Sequence, residues 1–472
     1  MSERPVEQPL IVEAAGVQYI TERERHGRPT NQFTIRFSPV IYLAPIFLGS
    51  AAIPLGLGLT GSITAIVVAN LLGCIAAGLC AGMGPKLGMP QLVQSRASFG
   101  YIGNYIPAIL ASVLFIGYST VGTIVGAKAM ESLLGLPYPP IAVAVAIASI
   151  LLAVYGYELL HVTGKWVTWI GIILLVIVTA LTLINGVGPG ATAALTGTSW
   201  WLAWLLLFTI IFSFTVSWML YASDYSRYLP VETKFAHVAG YASSGLFLGS
   251  TWMMVLGAAL VSITPEGGAL EALDVVLPTG LLWLVLVSLT ITSVTHNSVN
   301  LYSCSMAGLT WDFPLKRSTT VILAGLVSAV LAVVLGGSEF QENFNNFLIF
   351  MSYFMLPWLA IRLIDFFWKR SHIAAPVEAF YRKDGRFGRV RWHGLGAFLI
   401  GIGVSIPFMS TTIYTGPIAE SLKGADISYF VSFVVAAAIY SFVKPAEPDA
   451  DASAAEATAP KGKRDRAAVD VV

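Results

Sequence analysis

Residues 37–56 read FSPVIYLAPIFLGSAAIPLG, twenty residues with no charged side chain, carrying Pro45 and the pair Gly49-Ser50 near the middle. A bilayer core about 30 Å thick needs roughly 20 apolar residues of helix, so this stretch is long enough to cross one. A proline at 45 removes a backbone hydrogen bond and frees nearby carbonyls. Two outcomes are open: a simple kink, common in membrane helices, or a discontinuous helix that offers backbone groups to a solute near the midplane.

Runs of the same length recur along the chain. Twelve spans can be drawn, at 38–58, 62–83, 104–134, 140–157, 164–185, 201–222, 237–263, 278–306, 319–336, 345–368, 393–413 and 426–443. They far exceed the 9 to 11 alternating residues of an outer-membrane strand. Backbone groups in hydrocarbon must be satisfied internally, which leaves helices. Composition agrees: 56% of the 472 residues are hydrophobic and 11% charged, against about 25% charged in soluble globular chains. The expected fold class is an all-α integral membrane protein.

Basic residues alternate with the spans. Arg23, Arg25, Arg28 and Arg36 precede the first, Lys86 and Arg96 follow the second, Lys165 the fourth, Arg227 and Lys234 the sixth, and Lys316 and Arg317 the eighth; Arg362 to Arg391 crowd the loop after the tenth. The opposite loops hold Lys128 and Lys423 and otherwise acids or neutral residues. The positive-inside rule then puts both termini in the cytoplasm of a multi-pass plasma-membrane protein. Residues 1–36 read as a cytosolic lead-in, 37–443 as the transmembrane domain, and 444–472 as a disordered cytosolic tail rich in Ala, Pro, Asp and Lys.

Several functions are disfavoured. A net charge of +1 with no basic aromatic patch gives no sign of nucleic acid as a partner, and Cys74, Cys80 and Cys304 sit in apolar spans without metal-type spacing. No paired catalytic acids, nucleophile motif or phosphate-cradling loop stands out, so neither an enzyme nor an ATP-driven pump is expected. No cofactor and no obligatory protein partner is expected either; the partners are a small solute and the bilayer.

Four segments together resemble the nucleobase:cation symporter family one, which contains purine, cytosine, allantoin and hydantoin permeases. They are QLVQSRASFGYIGNYIPA (91–108), SWMLYASDYSRYLP (217–230), HNSVNLYS (296–303) and NNFLIFMSYFMLPWLAIRLIDFF (345–367). The resemblance implies the leucine-transporter-type fold, with 12 transmembrane helices arranged as a 5+5 inverted repeat plus two C-terminal helices. It also implies a secondary active transporter importing a nucleobase or related planar heterocycle, of the cytosine, purine, uracil, allantoin or hydantoin class. Transport would be symport with a proton or sodium ion by alternating access. The alternatives are an amino-acid or polyamine-type carrier of the same fold, or a channel.

In that family a flat ring is sandwiched between aromatic residues and read at its edge by amides, chemistry that suits π-faces and carboxamides. Carried onto this sequence, the sixth-helix aromatic falls on Trp218, beside Ser217, and the third-helix aromatic on Tyr118. The third-helix amide falls on Gly122, a departure that widens the pocket wall; Gly122 and Gly126 also fit a small-residue packing face. The eighth-helix asparagine falls on Asn300, with Asn297 one turn earlier; interhelical hydrogen bonding is the other reading for both.

For the ion, the resemblance points to carbonyls of Ala44 and Phe47 in the first span, with the Ile291 carbonyl and Thr295 hydroxyl on the eighth. This is an incomplete sodium set, because Val294 stands where a second hydroxyl is usual. His296 is a candidate coupling group that a proton can charge, or a neutral packing histidine.

Overall fold

The computed structural model describes residues 16–155, 157–186, 188–337, 339–371, 376–411 and 414–442, with 157–168 as backbone only. The expected tail at 444–472 and the start of the lead-in lie outside the described residues, as do the side chains of Glu158, His161 and Lys165.

In chain order the helices are α1 (Asn31–Phe37), α2 (Leu43–Ser50), α3 (Gly58–Leu87), α4 (Gln91–Gln94), α5 (Arg96–Phe99), α6 (Tyr105–Leu134), α7 (Tyr138–Tyr155), α8 (Tyr157–Asn185) and α9 (Gly197–Val216). There follow α10 (Ala222–Ser226), α11 (Phe235–Ile263), α12 (Ala269–Val276), α13 (Thr279–Thr310), α14 (Arg317–Leu335), α15 (Phe340–Leu363), α16 (Trp392–Ser405), α17 (Pro417–Ser421) and α18 (Ser428–Phe442). Extended pairing among the described residues is confined to one isolated bridge, Ser410 with Thr415.

Eight of these helical units are long and apolar enough to cross a bilayer, and a ninth forms if Asn31–Val40 and Leu43–Ser50, bent by 65°, count as one. Shorter apolar helices lie at Trp169–Asn185, Trp392–Phe408 and Ser428–Phe442. Outward faces are apolar: on α14, Leu323, Leu326, Val327, Val330 and Val334 form an exposed stripe at helical spacing, a surface fitted to lipid rather than water. The chain is a multi-pass membrane protein.

Lipid removes most of the hydrophobic drive between helices, so close packing and polar contacts must hold them together. Glycines supply the first. On α11, Gly245 lies against the Phe33 carbonyl, Gly249 against Val40 and Phe37, and Gly257 against the Ile46 carbonyl, while Gly49 of α2 lies against the Met254 carbonyl; a Cβ at any of them would overlap its neighbour. Hydroxyls supply the second along α3: Ser243 donates to the Cys74 carbonyl (3.0 Å), Ser223 to Cys80 (2.9 Å) and Ser226 to Ala81 (2.7 Å). The long helices α11 and α3 thus clamp the first span and the end of the sixth.

Candidate functional site

The first span is interrupted earlier than the sequence suggested. A 3₁₀ turn at Ser38–Val40 contains Pro39, Ile41 leaves helical geometry (φ −82°, ψ 67°), and Tyr42 is extended (φ −147°, ψ 179°) before α2 restarts at Leu43. Pro45 falls in the first turn of α2, where backbone N–H groups have no intrahelical acceptor to lose, so it starts a helix rather than kinking one. The Pro39 carbonyl, freed by the break, lies 2.9 Å from His296 Nδ1.

The sixth span carries Ser217–Tyr221 as a 3₁₀ segment between α9 and α10. Its loosened backbone is satisfied from elsewhere: the Ala222 carbonyl accepts Arg36 Nη2 at 2.6 Å, and the Ser223 N–H donates to Gln91 Oε1 at 3.2 Å. The Arg36 guanidinium also lies over Trp218, Tyr221 and Tyr225, 5.6–5.7 Å from each ring centre. The sequence placed Arg36 at the end of a cytosolic lead-in, ahead of the first span. Instead α1 begins at Asn31 and Arg36 is buried within it, its charge met by a carbonyl and three π-faces.

The two breaks meet α13 at His296. The Tyr42 ring stacks on the imidazole (centroids 4.1 Å, 19°), Trp218 lies tilted at 6.1 Å, and Tyr118 of α6 presents an edge at 6.4 Å. Phe214 and Phe347 each pack edge-on to Tyr118 at 5.9 Å, and Gly117 makes room for the Phe347 ring. One turn along α13, Asn300 Nδ2 donates to the His296 carbonyl at 3.0 Å. Trp218 and Tyr118 are 2% exposed, His296 1% and Asn300 0%, so the cluster is sealed from solvent in this conformation. Asn300 Oδ1 and His296 Nε2 are buried without a partner, an unusual expense that a ligand can offset. Flat rings beside unmatched polar atoms offer the chemistry that a planar, polar guest can complete.

Ser217 opens the sixth-span 3₁₀ segment and donates to the Phe214 carbonyl at 2.6 Å. Gly122 and Asn297 meet each other instead of the rings: a Cβ on Gly122 would strike the Asn297 carboxamide. That amide lies 3.1 Å from the Thr123 hydroxyl and 3.3 Å from the Ser149 hydroxyl, on the seam of α13 with α6 and α7. Among the residues expected to hold an ion, the Thr295 hydroxyl donates to the Ile291 carbonyl at 3.2 Å, and the Phe47 carbonyl accepts from Ser50 Oγ at 2.8 Å. Ala44 is buried in the first turn of α2. No cluster of three or more His, Cys, Asp or Glu able to hold a metal occurs among the described residues.

Other charged side chains take their own partners. Asp224 accepts from the Gln91 N–H (2.8 Å), whereas Arg227 donates to the Gln18 (3.1 Å) and Gly16 (3.2 Å) carbonyls, so the two serve separate contacts rather than one helix-end pair. Lys128 lies over the Tyr138 ring at 5.8 Å, and no Lys128–Glu131 ion pair is among those of the described residues. Arg362 and Asp365 do pair, at 3.4 Å and buried. Sequence reasoning missed Tyr42, Phe214, Phe347 and the burial of Arg36; the one available signal was Tyr42 standing three residues before Pro45.

Fold and site together define a polytopic helical membrane protein of the carrier type, with two interrupted helices facing a sealed aromatic cluster. Residues 19–432 match the family described as permease for cytosine/purines, uracil, thiamine, allantoin, and the chain belongs to that family; like its relatives, it is a permease and not an enzyme. It is 31% identical to the putative purine-cytosine permease YxlA of Bacillus subtilis, over 91% of this chain and 95% of that protein. Identity to the purine-cytosine permease fcyB of Emericella nidulans is 26%, over 83% and 80%. Among solved structures, Mhp1, a nucleobase-cation-symport-1 family transporter in a closed conformation with bromovinylhydantoin bound, superposes with a TM-score of 0.75 at 18% identity, covering 91% of this chain and 94% of that one. The inward-facing conformation of Mhp1 gives 0.69 over the same shares. The fold is shared.

Proposed function

We propose that this permease imports a nucleobase or a related planar heterocycle by alternating access, driven by symport with a proton or a sodium ion. The observation that carries the reading is the cluster in which Trp218 and Tyr118 flank His296, one helical turn from Asn300, at the point where both interrupted spans reach α13. Trp218 and Tyr118 provide the sandwiching faces, Asn300 reads the polar edge, and Ser217 begins the 3₁₀ stretch that carries Trp218. Gly122 and Asn297 set how closely α13 approaches α6, which bounds the pocket from behind. The names of relatives and the hydantoin held by Mhp1 fall in the same class of guest.

The proposed frame has twelve spans in two inverted sets of five plus two, with both termini in the cytoplasm. In support, the first and sixth spans each carry a 3₁₀ interruption in mid-course. For the ion, Ala44, Phe47, Ile291 and Thr295 are the sodium candidates and His296 Nε2 the proton candidate, a role it can fill only while no guest N–H occupies that lone pair.

The test is uptake into proteoliposomes. Accumulation of labelled cytosine, hypoxanthine, uracil, allantoin or a hydantoin against its gradient, dependent on an imposed proton or sodium gradient and abolished by an ionophore, is expected. Equilibration without concentration would indicate a channel. Accumulation of amino acids or polyamines but no flat heterocycle would indicate the other carrier class.

A further inference from the structure

We infer that His296 determines which heterocycles are accepted: as a neutral imidazole, its Nε2 takes a hydrogen bond from an N–H of the guest. The inference rests on the proposed function and deepens it by naming the edge that the substrate must present.

The tautomer follows from geometry. His296 Nδ1 lies 2.9 Å from the Pro39 carbonyl, and a carbonyl only accepts, so the proton sits on Nδ1. In the neutral ring the other nitrogen is then an acceptor. That nitrogen is buried and meets no donor. Charging it would instead leave an N–H with no acceptor in the same sealed cluster. The ring cannot easily turn to find a partner, because Tyr42 stacks on its face at 4.1 Å and the broken first span holds its far side.

A second observation points the same way. Asn300, one turn on, gives one of its two amide N–H groups to the His296 carbonyl, and its Oδ1 has no partner, again an acceptor. Residues four apart share a helix face, so α13 shows the ring site two unmatched lone-pair groups beside the second Asn300 N–H. A guest that completes the site brings donors: a ring N–H, with a second N–H or an exocyclic amine. A flat ring that offers only carbonyl oxygens or bare ring nitrogens there sets lone pair against lone pair. Because the same imidazole holds Pro39, recognition of the edge is tied directly to the bend of the first span.

The experiment measures competition for a labelled heterocycle on the full chain in lipid nanodiscs. Each parent ring is compared with the isosteric analogue in which one ring N–H is replaced by oxygen. The native protein should prefer the parent by about tenfold or more at one ring position, as expected where a site built around a hydrogen bond meets a guest lacking it. His296→Phe should reduce that ratio to about twofold or less, and His296→Gln, which keeps an acceptor, should preserve part of it. The ratio within one variant does not depend on how much of it folds. If His296→Phe binds nothing, the ¹⁵N resonance of Nε2 in the native protein, assigned by its loss in His296→Gln, decides: it should shift on saturation with the parent ring. An unchanged ratio in His296→Phe, or an unmoved Nε2 resonance, overturns this inference alone. Failure of the native protein to bind any planar heterocycle overturns the proposed function and the inference with it.

Discussion

The two interrupted spans are broken by different means. In the first, two prolines flank the break, the chain bends by 65° and the helix restarts on Leu43. In the sixth, a five-residue 3₁₀ stretch without proline or glycine sits inside one continuous 30-residue span. Covalent geometry forces the first break; tertiary contacts compensate the second, with Arg36 on the Ala222 carbonyl and Gln91 on the Ser223 N–H. Arg36 belongs to the first span, so one break helps to stabilise the other. His296 touches both, through Tyr42 and Trp218. A movement of either span is therefore felt at the ring site.

This contrast can be broken at four points. The largest effect is expected at the cradle of the first break: Gly257→Leu sets a side chain into the Ile46 carbonyl and should destabilise by about 3 kcal/mol or more, the upper end of overpacking, seen as lost monodisperse protein and a lowered Tm. Next, Arg36→Met removes a charged hydrogen bond from the sixth break and should lower stability by about 1.5 to 3 kcal/mol; an unchanged unfolding midpoint would mean that the 3₁₀ segment stands without it.

Trp218→Ala should weaken heterocycle affinity by about 1 to 3 kcal/mol, the usual worth of stacking a base on an aromatic side chain, and unaltered competition curves would remove the indole from the site. The smallest effect lies away from both breaks. Asp312, just beyond α13, accepts from Tyr105 (2.6 Å), Tyr101 (2.9 Å) and Lys383 (2.8 Å). Burial pushes its carboxyl up, but the hydrogen bonds from Lys383, Tyr105 and Tyr101 outweigh that and hold it below the usual carboxylate range. Its stabilising contribution is thus present above the ordinary carboxylate pKa and lost as pH falls through the lowered value. Asp312→Asn should remove that part of the acid sensitivity of Tm, at a cost under about 1 kcal/mol for so exposed a pair.

Much of the fold was legible because lipid imposes a length and polarity rule that individual helices must obey. The third and seventh spans were placed within two residues of α6 and α11 at each end. The first span was not, since Asn31, Gln32 and Arg36 make its start look solvated; Gln32 and Arg36 are nonetheless buried, and Arg36 finds its carbonyl partner on Ala222, 186 residues away. Likewise Pro45 announced a break but not its position, because a proline is tolerated just after a break as well as in one. Trp218, Tyr118 and Asn300 could be carried over from matching motifs, and the structure sets the first two against His296, one turn from the third. Asn297 and Gly122 show the limit of that step: sequence spacing puts a residue near a face, while the close approach of two helices decides what it touches. Tyr42 was missed because an extended residue between two helices leaves no periodic trace.

The central claim is that both broken spans close upon one flat guest at α13. A structure of the protein with a transported heterocycle bound tests it most directly. The account predicts the ring within stacking distance of Trp218 and Tyr118, its edge within hydrogen-bonding reach of Asn300 and the His296 imidazole. A guest lodged elsewhere, with those four side chains still packed on one another, would contradict it.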